Sequence, residues 1–378
     1  MATILLATQG TGGDLYPFIE IASALKTHHH KVILITSEKF AEQVWKYGLD
    51  FRALEADQDS GLFQSHGIPK FAWPFMNLYR TIKRCCEGEK TVLVSHCNFN
   101  PISQLIAEKL RLPFITIYPA PYFAMSTSVM EQRLNSQAES LNRLRRMMNL
   151  PPVSDWRLWL ASCDAQIGLW PEWFAPNDPS WLIQVSPVGF IYKPEFEAGE
   201  IPEDLKEISQ GDDPPVLITH GTSRPAKTEF FSVAIEACKN LGCRAISVTM
   251  YDDLLPDTVY KDVKRYKYLP FATVLPLMKA IIHHGGIGTL NQAMMAGIPQ
   301  LVLAFEYDRP DNGSRIQQLN IGSWLPPSRW TDYEVTKVLR RIMTDEITEN
   351  CKRLSLKHRN AEDPVARVCA IINNLSLQ

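Results

Sequence analysis

A chain of 378 residues is too long for one ordinary hydrophobic core and suits two α/β domains of similar size. With 45% hydrophobic and 21% charged residues it is an ordered globular chain, and a net charge of -2 excludes the broad electrostatic attraction on which nucleic-acid binding rests. Its eight cysteines form no C-x-x-C pair and no Cys/His group with zinc-finger spacing, so they read as reduced thiols of a cytoplasmic protein.

The opening residues do not read as a signal peptide, because the apolar run from Ile4 to Ala7 lacks a basic leader and ends in a glycine turn. Thr3 to Ala7 has the unbroken apolar character of a strand buried on both faces. Gln9 to Asp14 is the turn, and Pro17 to Thr27 spaces Phe18, Ile21, Ala22 and Leu25 along one helical face. Val32 to Thr36 is the next buried strand. The alternation continues with a strand at Val92 to Ser95, a helix from Ile102 to Leu110 and a strand from Phe114 to Tyr118. Between Tyr118 and Trp173 it stops, giving way to aromatics, Met and Arg. Lys193 to Pro215, with Pro194, Pro202, Pro214 and Pro215 and an acidic excess, reads as a linker.

The pattern restarts at Val216 to Thr219, followed by a His220-Gly221-Thr222 turn, a helix from Phe230 to Leu241 and a strand from Ala245 to Thr249. Ala280 to His283 is a strand, Gly285 to Gly288 a turn, Thr289 to Ala296 a helix and Gln300 to Ala304 a strand. The expected division is an N-terminal domain over 1–192, a linker over 193–213, a second domain over 214–350 and a C-terminal helical segment over 351–378 that packs back on the first. The fold class is α/β: two doubly wound, Rossmann-like domains with a ligand cleft at the carboxyl ends of their strands.

The clearest strand-to-helix turn is HHGGIGT, His283 to Thr289. Gly285, Gly286 and Gly288 let the backbone approach a ligand, and the following helix directs unpaired N–H groups and its positive end at the turn. A diphosphate suits it, with a charge-assisted hydrogen bond from His284 and another from the Thr289 hydroxyl. The dinucleotide fingerprint G-x-G-x-x-G fails at both candidate turns, since Leu15 and Asn291 stand where the third glycine belongs. No G-x-x-x-x-G-K-[ST] loop occurs.

Three stretches, YLPFATVLP (268–276), HHGGIGT (283–289) and AGIPQ (296–300) continuing to DRPDNGSR (308–315), resemble the donor-binding motif of family 1 glycosyltransferases of the GT-B fold. The opening TQGTGGDLYP (8–17) resembles the T-x-G-[ST]-x-G-D-x-x-P start of the family's bacterial and sterol branch, and LWPEWF (169–174) and PVGF (187–190) are similar to the segments before its linker. The resemblance implies an inverting transfer of a hexose from a UDP- or dTDP-sugar to a hydroxyl of an apolar small molecule or lipid, with no metal and no other cofactor. It implies donor contacts from Gly12, Gly13, Thr222, Gly285, Gly286 and Gly288. His284 and Thr289 would hold the diphosphate, Gln292 would face the ribose, Tyr268 would stack on the base and Asp308 would bind sugar hydroxyls. Arg309 departs from the family, which has Gln there; it can fold onto Asp308, bind the diphosphate or meet an acidic sugar.

Asp14, in the first glycine turn, is the expected general base, with an N-cap of the following helix as its structural alternative. His96 is the second candidate base or a partner to Asp14. His28 to His30 reads as a solvated turn rather than a metal site. Phe71, Trp73, Phe75, Tyr122 and Phe123 are the expected acceptor-binding aromatics, with core or lid packing as the alternative. Residues 130–148 combine Met130, Leu134, Leu141, Leu144, Met147 and Met148 with Arg133, Arg143, Arg145 and Arg146, the pattern of a helix lying at a membrane surface or of a lid with a solvated face.

Overall fold

The computed structural model describes residues 1–54, 73–86, 90–125, 128–191, 199–209, 213–222, 224, 229–255 and 263–377. The chain forms two compact units, one of residues 1–191 with 363–378 and the other of residues 192–362.

The first unit holds a parallel sheet of β1 (Thr3–Ala7), β2 (Lys31–Thr36), β3 (Asp50–Ala53), β4 (Thr91–His96), β5 (Phe114–Tyr118), β6 (Ala165–Gly168) and β7 (Ser186–Pro187), in the order β3-β2-β1-β4-β5-β6-β7. Successive side chains of β1 enter different cores. Ile4 and Leu6 pack on one face with Phe18, Ile21 and Leu25, and Leu5 and Ala7 pack on the other with Leu93 and Leu105. Burial on both faces is why this strand is apolar without alternation.

The helix following β1 runs from Gly12 to Thr27 and contains Pro17, so it starts five residues before the expected position. Thr11 is its N-cap, and the Asp14 carboxylate reaches back to the Thr11 amide at 2.7 Å, the reciprocal bond of a capping box. Asp14 is therefore the third helical residue rather than the N-cap. His28 and His30 both bond to Asn373 at 3.0 Å, so the histidine run anchors the helix Pro364–Leu377 rather than only facing water.

The second unit's sheet is β8 (Val216–Thr219), β9 (Ala245–Val248), β10 (Lys264–Tyr266), β11 (Ala280–His283), β12 (Gln300–Leu303) and β13 (Gly322–Leu325), parallel and ordered β10-β9-β8-β11-β12-β13. The expected linker is partly folded into this unit: the helix Glu203–Ser209 places Leu205, 0% exposed, in the core with Leu217 and Ile246. The helix Asp345–Arg359 also belongs here, so the chain returns to the first unit at Asp363 and not at 351.

In both sheets the strand order reverses direction beside the first strand, between β1 and β4 and between β8 and β11. The crevice outside the carboxyl ends of such a pair is where doubly wound folds hold ligands.

Candidate active site

In the first unit the reversal point carries Asp14 and His96. Ala7 of β1 pairs with Ser95 of β4, so the turn after β1 and the end of β4 are neighbours. Gly10, at φ 143°, allows that turn to close, and a Cβ there would collide with the Asp14 carboxylate. Asp14 Oδ2 accepts from the Thr11 amide at 2.7 Å and the Thr11 hydroxyl at 3.1 Å, while Oδ1 lies 3.2 Å from His96 Nε2. The Asp14 side chain is 24% exposed and that of His96 is 0% exposed. His96 is thus buried behind Asp14, and the carboxylate is the solvent-reachable member of the two.

His96 Nδ1 accepts the Asn98 amide at 3.0 Å, which in the neutral ring leaves the proton on Nε2, facing the carboxylate. Burial pulls the imidazole down, but the Cys97 sulfur and the Asp14 carboxylate outweigh it and lift its pKa above 6.5. The Asn98 bond opposes protonation of Nδ1 and moderates that rise; the upward direction stands because a full negative charge lies beside the ring. For Asp14, burial alone would raise the carboxyl; the bond and charge of His96, with the two Thr11 donors, reverse this and hold it below 3.8. The result is an ionised carboxylate, anchored by Thr11 and 3.2 Å from His96 Nε2, that solvent can reach.

In the second unit His283 of β11 pairs in register with Thr219 of β8, and the following residues form the glycine turn. His283 Nε2 meets Gln300 Oε1 at 3.0 Å and its Nδ1 accepts the Gly285 amide at 3.2 Å. Burial pushes its pKa down to about 4, so it is a neutral brace for the turn. Gly286 caps the helix Ile287–Ala296, whose first closing bond runs from the Leu290 amide to Gly286 O at 3.0 Å; the amides of 287–289 thus precede the intrahelical ladder.

His284 is 9% exposed and its ring lies 5.0 Å from that of His220, tilted by 30°. Among the described residues its buried Nδ1 has no hydrogen-bond partner. A Cβ on Gly286 would lie 2.5 Å from His284 Nε2, so glycine there keeps that nitrogen uncovered. Burial, then the charges of His220, Arg309 and His283, keep the His284 pKa well below 6.5. The expectation of a charged His284 is therefore corrected: the buried ring is neutral.

Asn312 was missed as a functional residue in the sequence. Fully buried, it donates through Nδ2 to Gly285 O at 3.0 Å and to Asp308 Oδ2 at 2.8 Å, tying the acid to the glycine turn. Its spacing of four from Asp308 at a helix start was the legible signal. Likewise, Thr11-x-x-Asp14 is a readable capping-box pattern. Tyr268 is 64% exposed, Thr222 and Gly288 are exposed, and Thr289, Gln292 and Arg309 are half-buried. Gly12 and Gly13 open the first unit's helix beside Asp14.

Of the expected acceptor aromatics, Phe71 and the Trp73 side chain lie outside the described residues. Phe75 is core, 2% exposed and stacked on Tyr79 at 6.1 Å. Tyr122 and Phe123 are half-buried and meet edge to face at 5.5 Å. One of the basic side chains of the helical segment is structural, while Arg143 and Arg146 are exposed. In the helix Ser128–Met147, Leu141 and Leu144 are buried, and Arg145 makes a two-pronged bond to Glu108 at 2.7 and 2.8 Å. Among the described residues no helix is long and apolar enough to cross a membrane, and no group of three His, Cys, Asp or Glu side chains is placed to hold a metal.

Comparison with known proteins defines the class. A calicheamicin glycosyltransferase superposes with a TM-score of 0.74 at 18% identity, over 99% of this chain and 98% of its own. A spinosyn rhamnosyltransferase, solved with thymidine diphosphate, does so with a TM-score of 0.73 at 16% identity, over 98% and 100%. The fold is theirs, GT-B. Residues 4–127 match the glycosyltransferase family 28 N-terminal domain, and residues 246–373 match the C-terminal domain of the erythromycin biosynthesis protein CIII-like family. A sterol 3-beta-glucosyltransferase of Arabidopsis thaliana is 25% identical over 96% of this chain, which spans 64% of that protein's length. The O-mycaminosyltylonolide 6-deoxyallosyltransferase of Streptomyces fradiae is 23% identical, over 98% of this chain and 96% of its own. The chain belongs to the family 1 glycosyltransferases of the GT-B fold.

Proposed function

We propose that the protein is an inverting, metal-independent hexosyltransferase that uses a UDP- or dTDP-sugar and an apolar acceptor bearing a hydroxyl, with Asp14 as general base. The observation that carries the reading is the Asp14 carboxylate itself: ionised, held on one oxygen by Thr11, with buried His96 3.2 Å from the other, and still reachable from solvent. A carboxylate engaged only as a helix cap would need no fully buried imidazole behind it.

The acceptor oxygen bonds to the anomeric carbon as that carbon's bond to the β-phosphate oxygen breaks. The acceptor proton passes to Asp14, and the electron pair of the broken bond leaves with the diphosphate. His96 positions the carboxylate. His284, the amides before the helix Ile287–Ala296 and the Thr289 hydroxyl receive the diphosphate; Asp308, steadied by Asn312, takes sugar hydroxyls; Tyr268 offers a face to the base, and Gln292 the ribose.

The test pairs binding with turnover. UDP- and dTDP-sugars at saturating concentration are expected to raise the melting temperature of the chain. His284→Ala is expected to abolish the shift, whereas Asp14→Asn keeps the shift and loses transfer to hydroxylated acceptors. Normal binding and transfer in both variants would overturn the assignment, and a product that retains the donor's anomeric configuration would overturn inversion.

A further inference from the structure

Arg309 opens the helix Arg309–Gln318, where a cation opposes the positive end of the helix dipole. Of its three possible roles, pairing with Asp308 is not what the structure holds. Asp308 Oδ2 is taken by Asn312, and among the described residues no hydrogen bond or ion pair engages the Arg309 guanidinium. An unpaired, half-buried guanidinium at a helix start is a standing electrostatic cost unless an anion meets it.

Its location says which anion. A Cβ on Gly285 would lie 3.1 Å from Arg309 Cβ and 3.2 Å from its carbonyl oxygen, so Arg309 packs on the glycine turn itself. The charges of His220, Arg309 and His283 bear on His284, and Arg309 is the one guanidinium among them. The turn's own histidines are neutral: burial takes His283 to about 4 and His284 well below 6.5. The turn therefore supplies dipoles but no formal charge.

We propose that Arg309 is the cation that binds the diphosphate of the donor and receives the charge that builds on the β-phosphate as the sugar leaves. The proposal rests on the donor reading above and sharpens it. It makes the residue that departs from the family's Gln a leaving-group ligand, not a contact to a sugar carboxylate.

The experiment is equilibrium binding of UDP, dTDP, uridine, thymidine and UDP-glucuronate to the wild-type chain, Arg309→Gln and Arg309→Lys. Arg309→Gln restores the family's own residue, so folding is not at risk. It is expected to weaken UDP or dTDP, whichever the wild type binds, by about tenfold or more, to leave the matching nucleoside unchanged and to flatten the salt dependence of diphosphate binding. Arg309→Lys is expected to recover part of the loss. Equal diphosphate affinity in wild type and Arg309→Gln overturns the proposal, and so does a loss confined to UDP-glucuronate, which assigns the guanidinium to a carboxylate. If the wild type bound neither diphosphate, the donor reading itself would fall, a result distinct from either of these.

Discussion

His96 and His283 occupy matching places in the two units, each at the end of the strand that pairs with its unit's first strand. Each accepts on Nδ1 the amide two residues ahead, Asn98 at 3.0 Å and Gly285 at 3.2 Å, and each is 0% exposed. They differ in what faces Nε2: the Asp14 carboxylate at 3.2 Å in one case, the Gln300 amide oxygen at 3.0 Å in the other. The first ring is lifted above its ordinary value and the second driven down to about 4. Burial acts alike on both, so the Cys97 sulfur and the Asp14 carboxylate beside His96 decide the sign. One site thereby holds an ionised carboxylate with an edge in solvent, and the other a neutral brace under a turn.

Asp14→Asn attacks this contrast hardest, because it gives His96 the same kind of partner as His283. Transfer is expected to fall by about 10²–10⁴-fold with nucleotide affinity unchanged, and the His96 imidazole to titrate below 6.5 in an NMR titration. Retained turnover would remove Asp14 from the chemistry.

The second effect is on stability against pH. His283 has a folded pKa of about 4 against 6.5 unfolded, so between those values the unfolded chain binds the extra proton. Its contribution is present above 6.5 and is lost as the pH falls to 4, by roughly 3 kcal/mol for the full shift. Urea denaturation at pH 7 and pH 4.5 checks this. In His283→Asn the decline across the window should shrink, although His284, depressed in the same direction, keeps part of it. Asp14, held below 3.8, adds its loss only at more acid pH.

Asn312→Ala should cost about 1–3 kcal/mol of stability by leaving Gly285 O without its donor, and should raise the KM for donor more than for acceptor. An unchanged donor KM would confine Asn312 to folding. The smallest effect is the converse exchange: Gln300→Glu places a carboxylate before His283, and its pKa should rise by about one unit or more. A ring that stayed near 4 would mean that burial, not partner charge, sets the difference.

The central strands were legible because a parallel sheet covered on both faces requires apolar runs; β1, β2, β4, β8 and β11 have them. The strands without a clear apolar run, Asp50–Ala53, Ala165–Gly168 and Lys264–Tyr266, lie at or near sheet edges, where partial exposure admits polar residues, and Gly322–Leu325 is a short edge strand that opens on Gly and Ser. The helix Glu203–Ser209 was hidden by the prolines around it, and only Leu205 marks its core face.

From the amino-acid order alone came the two-domain α/β class, the glycine turns and the residue types gathered at them. These are local properties, set by periodicity over a few residues and by the backbone freedom of glycine. The tertiary structure decided what each polar group faces. Asp14 meets His96 across 82 positions of chain, and Arg145, in a segment that reads as a basic surface helix, is sequestered by Glu108. Such pairings join residues that have no relation along the chain, and they fix whether an ionisable group is charged, neutral or simply structural.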